Sequence, residues 1–216
     1  MALVDTFAGL TGWFARPWPM NPQQLSYHFL PGRDAGVATF KEGEERVRWG
    51  LHEWNAWSQE GSEAASYEQD GDLLFWLPTL QYFLEMAFRL PEAQLVDMAG
   101  TIELEGEPHQ RVYLTWGGYA PHGGADQYLA YLRQRDGLLT RCDFTVRDKA
   151  GFLVGTVRYG DFRRVGHYLL PHRIEIGKNP PEDLLHVYRI ALWEPGVELP
   201  RAKLAPEPGR SPREKP

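Results

Sequence analysis

The chain has 216 residues, 43% hydrophobic and 24% charged, with a formal net charge of −6. That length suits one large all-β domain or two small ones, and an acidic balance without a basic stripe excludes a broad nucleic-acid footprint. Cys142 is the only cysteine, which excludes an internal disulfide and a cysteine-rich metal site.

No basic n-region precedes the first apolar residues, and Asp5 interrupts them. The opening is therefore read without a secretory signal, a lipidated cysteine or a transmembrane segment. That reading favours the cytoplasm, or the periplasm if an export signal has been cut away. The spacing of Leu3, Phe7, Leu10 and Phe14 predicts a short helix over 1–14, and the prolines of "RPWPMNP" end it.

Short extended runs follow. "QQLSYHFL" alternates, with Leu25, Tyr27 and Phe29 on one side. "GVATF" and "ERVRWG" read as a hairpin about "KEGE", with Arg46 and Arg48 facing away from Val47 and Trp49. "HEWNAWSQE" is a further strand candidate, and "DGDLLFWL" opens on turn residues.

"PTLQYFLEMAFRL" changes period. Pro78 suits a first helical position. Leu80, Phe83, Leu84, Ala87 and Leu90 then recur at three and four residues, so an amphipathic helix spans 78–90 until Pro91 stops it. Phe88 and Met86 widen its apolar surface.

After residue 94 the period returns to two. "QLVDMAGTIELEGE" is one strand, or a strand bulged at Gly100, and "HQRVYLTWGG" sets Val112, Leu114 and Trp116 together. "DQYLAYLRQRDGLLTRCDFTVRD" holds two runs about Arg135-Asp136-Gly137, with Cys142 on the face of Leu138, Phe144 and Val146. "YGDFRRVGHYLLPHRIEI" is an extended piece, a turn at Gly166 and a second extended piece. There Tyr168, Leu170, His172, Ile174 and Ile176 share one side. Arg173 and Glu175 face solvent, and Pro171 requires an edge or a bulge. "DLLHVYRIALWEPG" closes the series. Residues 200–216, rich in proline and basic side chains, read as a disordered tail after a single domain over 1–199.

The fold expected is about ten strands with one central helix, mainly β. The more specific form is a strongly curved antiparallel sheet, an unclosed half-barrel grasping that helix.

The chemical motifs are sparse. His109 and His122 lack a carboxylate at helical spacing, and His167 and His172 fall on opposite faces of a regular strand, so no zinc set is read. Glu103 and Glu105 share a strand face opposite Ile102 and Leu104 and read as solvated. No serine stands in a GxSxG setting, and Cys142 reads as a buried structural thiol. The pairs in "WGGYAPHGG" read as a rim loop rather than a nucleotide loop. No catalytic residue, metal or cofactor is assigned. What remains is apolar supply. Tyr82, Phe83, Phe88, Trp116, Tyr128 and Phe144 can line a cavity between sheet and helix, with His172 at its margin. The same residues can equally fill a dry core.

The order of "LTGWF", "DGDLLFWLPTLQYFLEMAFRLPE", "ADQYLAYLRQRDGLLTRCDFTV" and "YGDFRRVGHYLLPHRIEI" resembles the LolA/LolB-like lipoprotein-carrier superfamily. The last piece is similar to its pattern of a Y-x-D-F strand followed by G-x-x-x-P-x-x-I. The resemblance implies an unclosed antiparallel barrel with helices over its concave side. It also implies non-catalytic carriage of acyl chains or another hydrophobic ligand. Two other readings stand beside that one: an interaction or scaffold protein with a filled core, and an enzyme using the same pocket. The oligomeric state is not read.

Overall fold

The computed structural model describes residues 1–8, 23–68, 73–118, 124–147 and 153–207. The expected helix over 1–14 is corrected where it is described. Residues Ala2–Ala8 form a strand, β1, because they pair with two neighbours, and local spacing cannot reveal that. Residues 9–22, with "LTGWF", and residues 119–123, most of the expected rim loop, lie outside the described residues.

The first half of the chain continues as β2 (Gln23–Phe29), β3 (Ala35–Glu42), β4 (Glu45–His52), β5 (Asn55–Glu60) and β6 (Ser66–Glu68). Helix α1 (Leu73–Arg89) follows, then a single 3₁₀ turn over Leu90–Glu92. The second half is β7 (Leu95–Leu104), β8 (Glu107–Thr115), β9 (Gln127–Arg133), β10 (Leu139–Thr145), β11 (Val154–Val165), β12 (Tyr168–Asn179) and β13 (Asp183–Trp193). It closes on the short helix α2 (Arg201–Leu204).

Among the described residues thirteen strands form one antiparallel sheet, ordered β6-β5-β4-β3-β2-β1-β13-β12-β11-β10-β9-β8-β7. All pairs are sequence neighbours except β1 with β13, so each half is a meander and the two halves meet where the first strand joins the last. The connection between the halves runs from one sheet edge, β6, to the other, β7, and α1 is that crossover.

This corrects the expected shape. The sheet is open and not strongly curled, and α1 is an accessory element rather than the axis of a half-barrel. The helix sits where the connection from edge to edge puts it, and its backbone runs nearest β3, β4 and β5.

The helix also starts earlier than expected. Leu73, Trp76 and Leu77 are buried before Pro78, which lies inside the helix and costs the Leu74 carbonyl its usual donor. Burial of that first turn offsets the loss. Each large apolar side chain removed from water contributes about 1.5–3 kcal/mol. The main core joins this face, with Leu80, Leu84 and Met86, to Leu25, Tyr27, Leu51, Val157, Ile174, Ile176 and Tyr188 of the sheet.

A smaller second core lies on the opposite face. Residues 200–216 were expected to be disordered, yet 201–207 pack on the sheet. Leu204 is buried against Ala35, Val37 and Trp57, and the Trp57 indole Nε1–H donates to the Leu204 carbonyl at 3.1 Å. Gln59 grips Glu207 twice, accepting from its N–H at 3.0 Å and donating to its carbonyl at 2.9 Å. Strand β3 is therefore covered on both faces, which removes the alternation of exposure along it. Arg48, on the face away from Val47 as expected, is buried beneath this strap and donates to the Lys203 carbonyl. Residues 208–216 lie outside the described residues.

Strand β12 is interior to the sheet, flanked by β11 and β13. Pro171 is tolerated there because its register to β13 begins only at Arg173, leaving its ring at a locally unpaired margin. Glu175, expected in solvent, is buried with one carboxylate oxygen accepting from Arg173 Nε at 2.7 Å. Edge strand β7 is exposed on both faces near its end, so Ile102 is not buried as its alternation with Glu103 suggested.

Candidate ligand groove

Two environments flank α1. Along its C-terminal half the face toward the β2–β3 turn is polar and sealed. Gln81 and Glu85, one helical turn apart, are both fully buried. Gln81 Nε2 donates to the Leu30 carbonyl at 3.0 Å, and its Oε1 accepts from the Tyr27 hydroxyl at 3.2 Å. Glu85 Oε2 accepts from the Gly32 N–H at 3.0 Å, while Arg89 lies 3.4 Å from its other oxygen and bonds Asp34 at 2.9 Å. Burial raises the Glu85 carboxyl to about 7, although these partners pull it down. The network pins the turn between β2 and β3 to the helix.

The predicted cavity residues separate into groups. Tyr82, Trp116 and Tyr128 come together, their ring centroids 5.5–6.3 Å apart, and the Arg89 guanidinium lies 5.3 Å from the Tyr82 ring. Burial raises both phenols, Tyr128 to about 12. Phe83 packs on Phe144 at 5.3 Å, and the Phe83 carbonyl accepts from the Tyr159 hydroxyl at 3.1 Å. These five form two packed groups, and none of them lines the groove described next. Cys142 is fully buried beside them, its thiol pushed up by burial.

The open space lies on another flank of the same half of the helix. Leu84, Ala87 and Phe88, spaced three and four residues apart on one flank, form one wall of a groove of about 320 Å³. The second wall is the β9–β10 hairpin, through Leu132, Gly137, Leu138 and Leu139. The third is the β11–β12 hairpin, through Tyr159, Phe162, His167, Tyr168, Leu169, Leu170 and Pro171. Phe88 is 49% exposed and meets the Tyr168 ring edge-on at 6.2 Å, so the two form the rim. Among the groove's lining residues the polar side chains are one imidazole and two phenols, and the Tyr159 phenol is already engaged by the helix. Such a lining excludes water from an apolar chain; no carboxylate, thiol or lysine lines it.

Of the seven predicted residues, then, only Phe88 lines the groove. His172 does not: it is buried, its ring Nδ1–H donating to the Leu170 carbonyl at 3.2 Å, and it faces a separate polar hollow with Gln24, Asp161, Arg163, Arg173 and Arg189. The missed residues are mainly those of the two hairpins. Their signal was the pair of turns at Gly137 and Gly166, which place two apolar strand ends side by side.

No family model matches the chain, and no curated protein does. Solved structures do. A LolA superfamily protein from Nitrosomonas europaea is 12% identical, with a TM-score of 0.54 over 95% of this chain and 88% of that one. A DUF1329 family protein from Desulfovibrio piger is 11% identical, with a TM-score of 0.58 over 94% and 87%. A structure assigned to an outer membrane lipoprotein-sorting protein domain from Vibrio parahaemolyticus is 10% identical, with a TM-score of 0.50 over 91% and 86%. The cytoplasmic preference drawn from the opening residues does not stand beside these matches, one of which is to a structure described as an outer membrane lipoprotein-sorting protein domain. At these identities the likeness is one of fold: the chain shares the fold of a LolA superfamily protein.

Proposed function

We propose that the chain reversibly holds an apolar ligand of acyl-chain type in the groove between α1 and the two hairpins, without chemically changing it. One domain over 1–199 carries this groove, with the strap of 201–207 laid on its other face. The observation that carries the reading is an open, apolar space of about 320 Å³ within a fold shared with lipoprotein carriers. Its size is at the lower end for small-molecule sites, about 300–1,000 Å³. Burying about eight methylenes at about 0.8 kcal/mol each supplies about 6 kcal/mol before association costs, which gives a reversible complex rather than a permanent one.

Tyr82, Phe83, Trp116, Tyr128 and Phe144 act here as the packed support of the groove, and Phe88 as its rim. Their close packing favours a second reading, an interaction protein with a filled interior, and one experiment separates the two. A dansyl-labelled fatty acid is titrated into the chain, and organic extracts of the purified protein are examined by native mass spectrometry. Saturable fluorescence enhancement, weakened about tenfold or more by Phe88→Glu and by Ala87→Trp, is the expected result. Both residues are exposed, so neither change empties the core. No enhancement, or equal affinity in both folded variants, favours the filled-core reading.

A further inference from the structure

The β11–β12 hairpin carries a feature that ligand holding does not use. Residues 163–169 form its tip around Gly166, whose φ of +60° makes the turn and whose surroundings are open space. Tyr168 and Leu169 are 48% and 42% exposed there, and Phe88 of α1 stands against Tyr168. Three large apolar side chains thus form one exposed patch at the groove mouth. Isolated exposed apolar residues are ordinary, but a contiguous group beside an open groove marks an interaction surface.

The charge around this patch indicates the partner. From Phe162 to Ile174 the chain holds Arg163, Arg164 and Arg173 with two histidines and no acid, within a protein of net charge −6. Arg163 is held by Asp161 through both carboxylate oxygens, but Arg164 has no carboxylate partner among the described residues. Lower on the hairpin Arg173 is held by Glu175, and the polar hollow there also takes in Asp161 and, from β13, Arg189. Exposed apolar side chains beside an arginine without a carboxylate partner, with a tyrosine among them, are a composition that sits at a lipid headgroup boundary. Groove and tip share Tyr168 and Leu169, so a surface covering the tip also covers the groove mouth.

We propose that the tip of the β11–β12 hairpin, with Phe88 beside it, docks on a membrane surface bearing anionic phospholipid. The attraction does not depend on a ligand in the groove, so it stands or falls separately from the proposed function. A basic side chain at an anionic surface contributes about fivefold in partition, and charge reversal about twenty-five-fold.

The test is co-sedimentation of the full chain with vesicles of phosphatidylcholine alone and of phosphatidylcholine with one-third phosphatidylglycerol, at low and high salt. Binding to the anionic vesicles at low salt, much weaker at high salt and on neutral vesicles, is expected. Arg164→Glu weakens it about twenty-five-fold and keeps the parent's melting curve and fatty-acid affinity; Leu169→Asp, at a residue that also lines the groove, weakens docking too. Equal binding to neutral and anionic vesicles overturns the proposal. So does undiminished binding by the folded double variant, or binding to no vesicle while a protein partner is captured through this tip. Loss of fatty-acid binding with vesicle docking intact overturns the proposed function alone.

Discussion

Glu85→Gln isolates the electrostatic cost of the sealed network under the β2–β3 turn. The carboxyl is 1% exposed, and its folded pKa of about 7 lies above the unfolded value of 4.5. The unfolded chain therefore releases this proton first. The stabilising contribution is complete below pH 4.5 and is lost as pH rises to about 7. A gap of about 2.5 pH units corresponds to about 3 kcal/mol. Glutamine cannot titrate, so the variant lacks this slope. Its amide oxygen can still accept from Gly32, but its NH₂ then meets donors from Gln81 and Arg89, costing about 1 kcal/mol at every pH. The variant should be slightly less stable than the parent near pH 4 and more stable near pH 8. Urea unfolding followed by tryptophan fluorescence across that range measures the difference. With a slope of about 2 kcal/mol per M, the gap between the two midpoints should shift by about 1.5 M from one end to the other. Parallel midpoint curves for parent and variant would refute the reasoning.

Three further outcomes follow from the packing. His186 is buried against the Trp76 ring at 5.1 Å and its pKa is depressed to about 4, so its contribution is present above 6.5 and is lost as pH falls through 4. His186→Phe should flatten that acid limb by about 3 kcal/mol, read from the same urea series. Leu204→Asp should release the strap at a cost of about 2 kcal/mol, seen as faster proteolytic cleavage within 199–207 with groove binding retained. Gly177→Ala places a Cβ 1.7 Å from the Asp183 carbonyl oxygen, a backbone atom that cannot step aside. A loss of about 3 kcal/mol should lower the melting temperature by about 6–12 °C.

The second half of the chain was legible because its signals are local. Period-two runs joined at Arg135-Asp136-Gly137 and Gly166 specify β9 through β12, and both turns stand where they were read. The helix was legible from three- and four-residue spacing, but its start was not. Pro78 suits a first helical turn, and that preference outweighed an apolar run from Leu73 to Leu77 that equally suits a buried helix face. Strand β1 was misread because Leu3 and Phe7 fit a helical spacing. Its strand character comes from β13, nearly two hundred residues away by sequence, and no local pattern carries that information. Arg48 and Glu175 have the alternation expected of outward residues; the strap covers one and an Arg173 pair shelters the other.

The position of the groove follows from the connection that made α1 necessary. The chain must pass from edge β6 to edge β7, so the helix begins beneath β3–β5, where Leu73, Trp76 and Leu77 find a complete core. Its last turn has moved beyond those strands, and Ala87 and Phe88 are left exposed although the apolar spacing continues. Helical periodicity therefore runs past the end of the core that it serves. The excess apolar surface is met by two hairpin ends rather than by a strand face, and hairpin ends do not fill space as strands do. That is why the aromatic residues of the helix middle pack solidly while its final turn borders an opening. The same geometry leaves a basic side chain beside the rim: the hairpin that supplies its third wall must turn in solvent, and Arg164 is exposed there while Arg163 is held by Asp161.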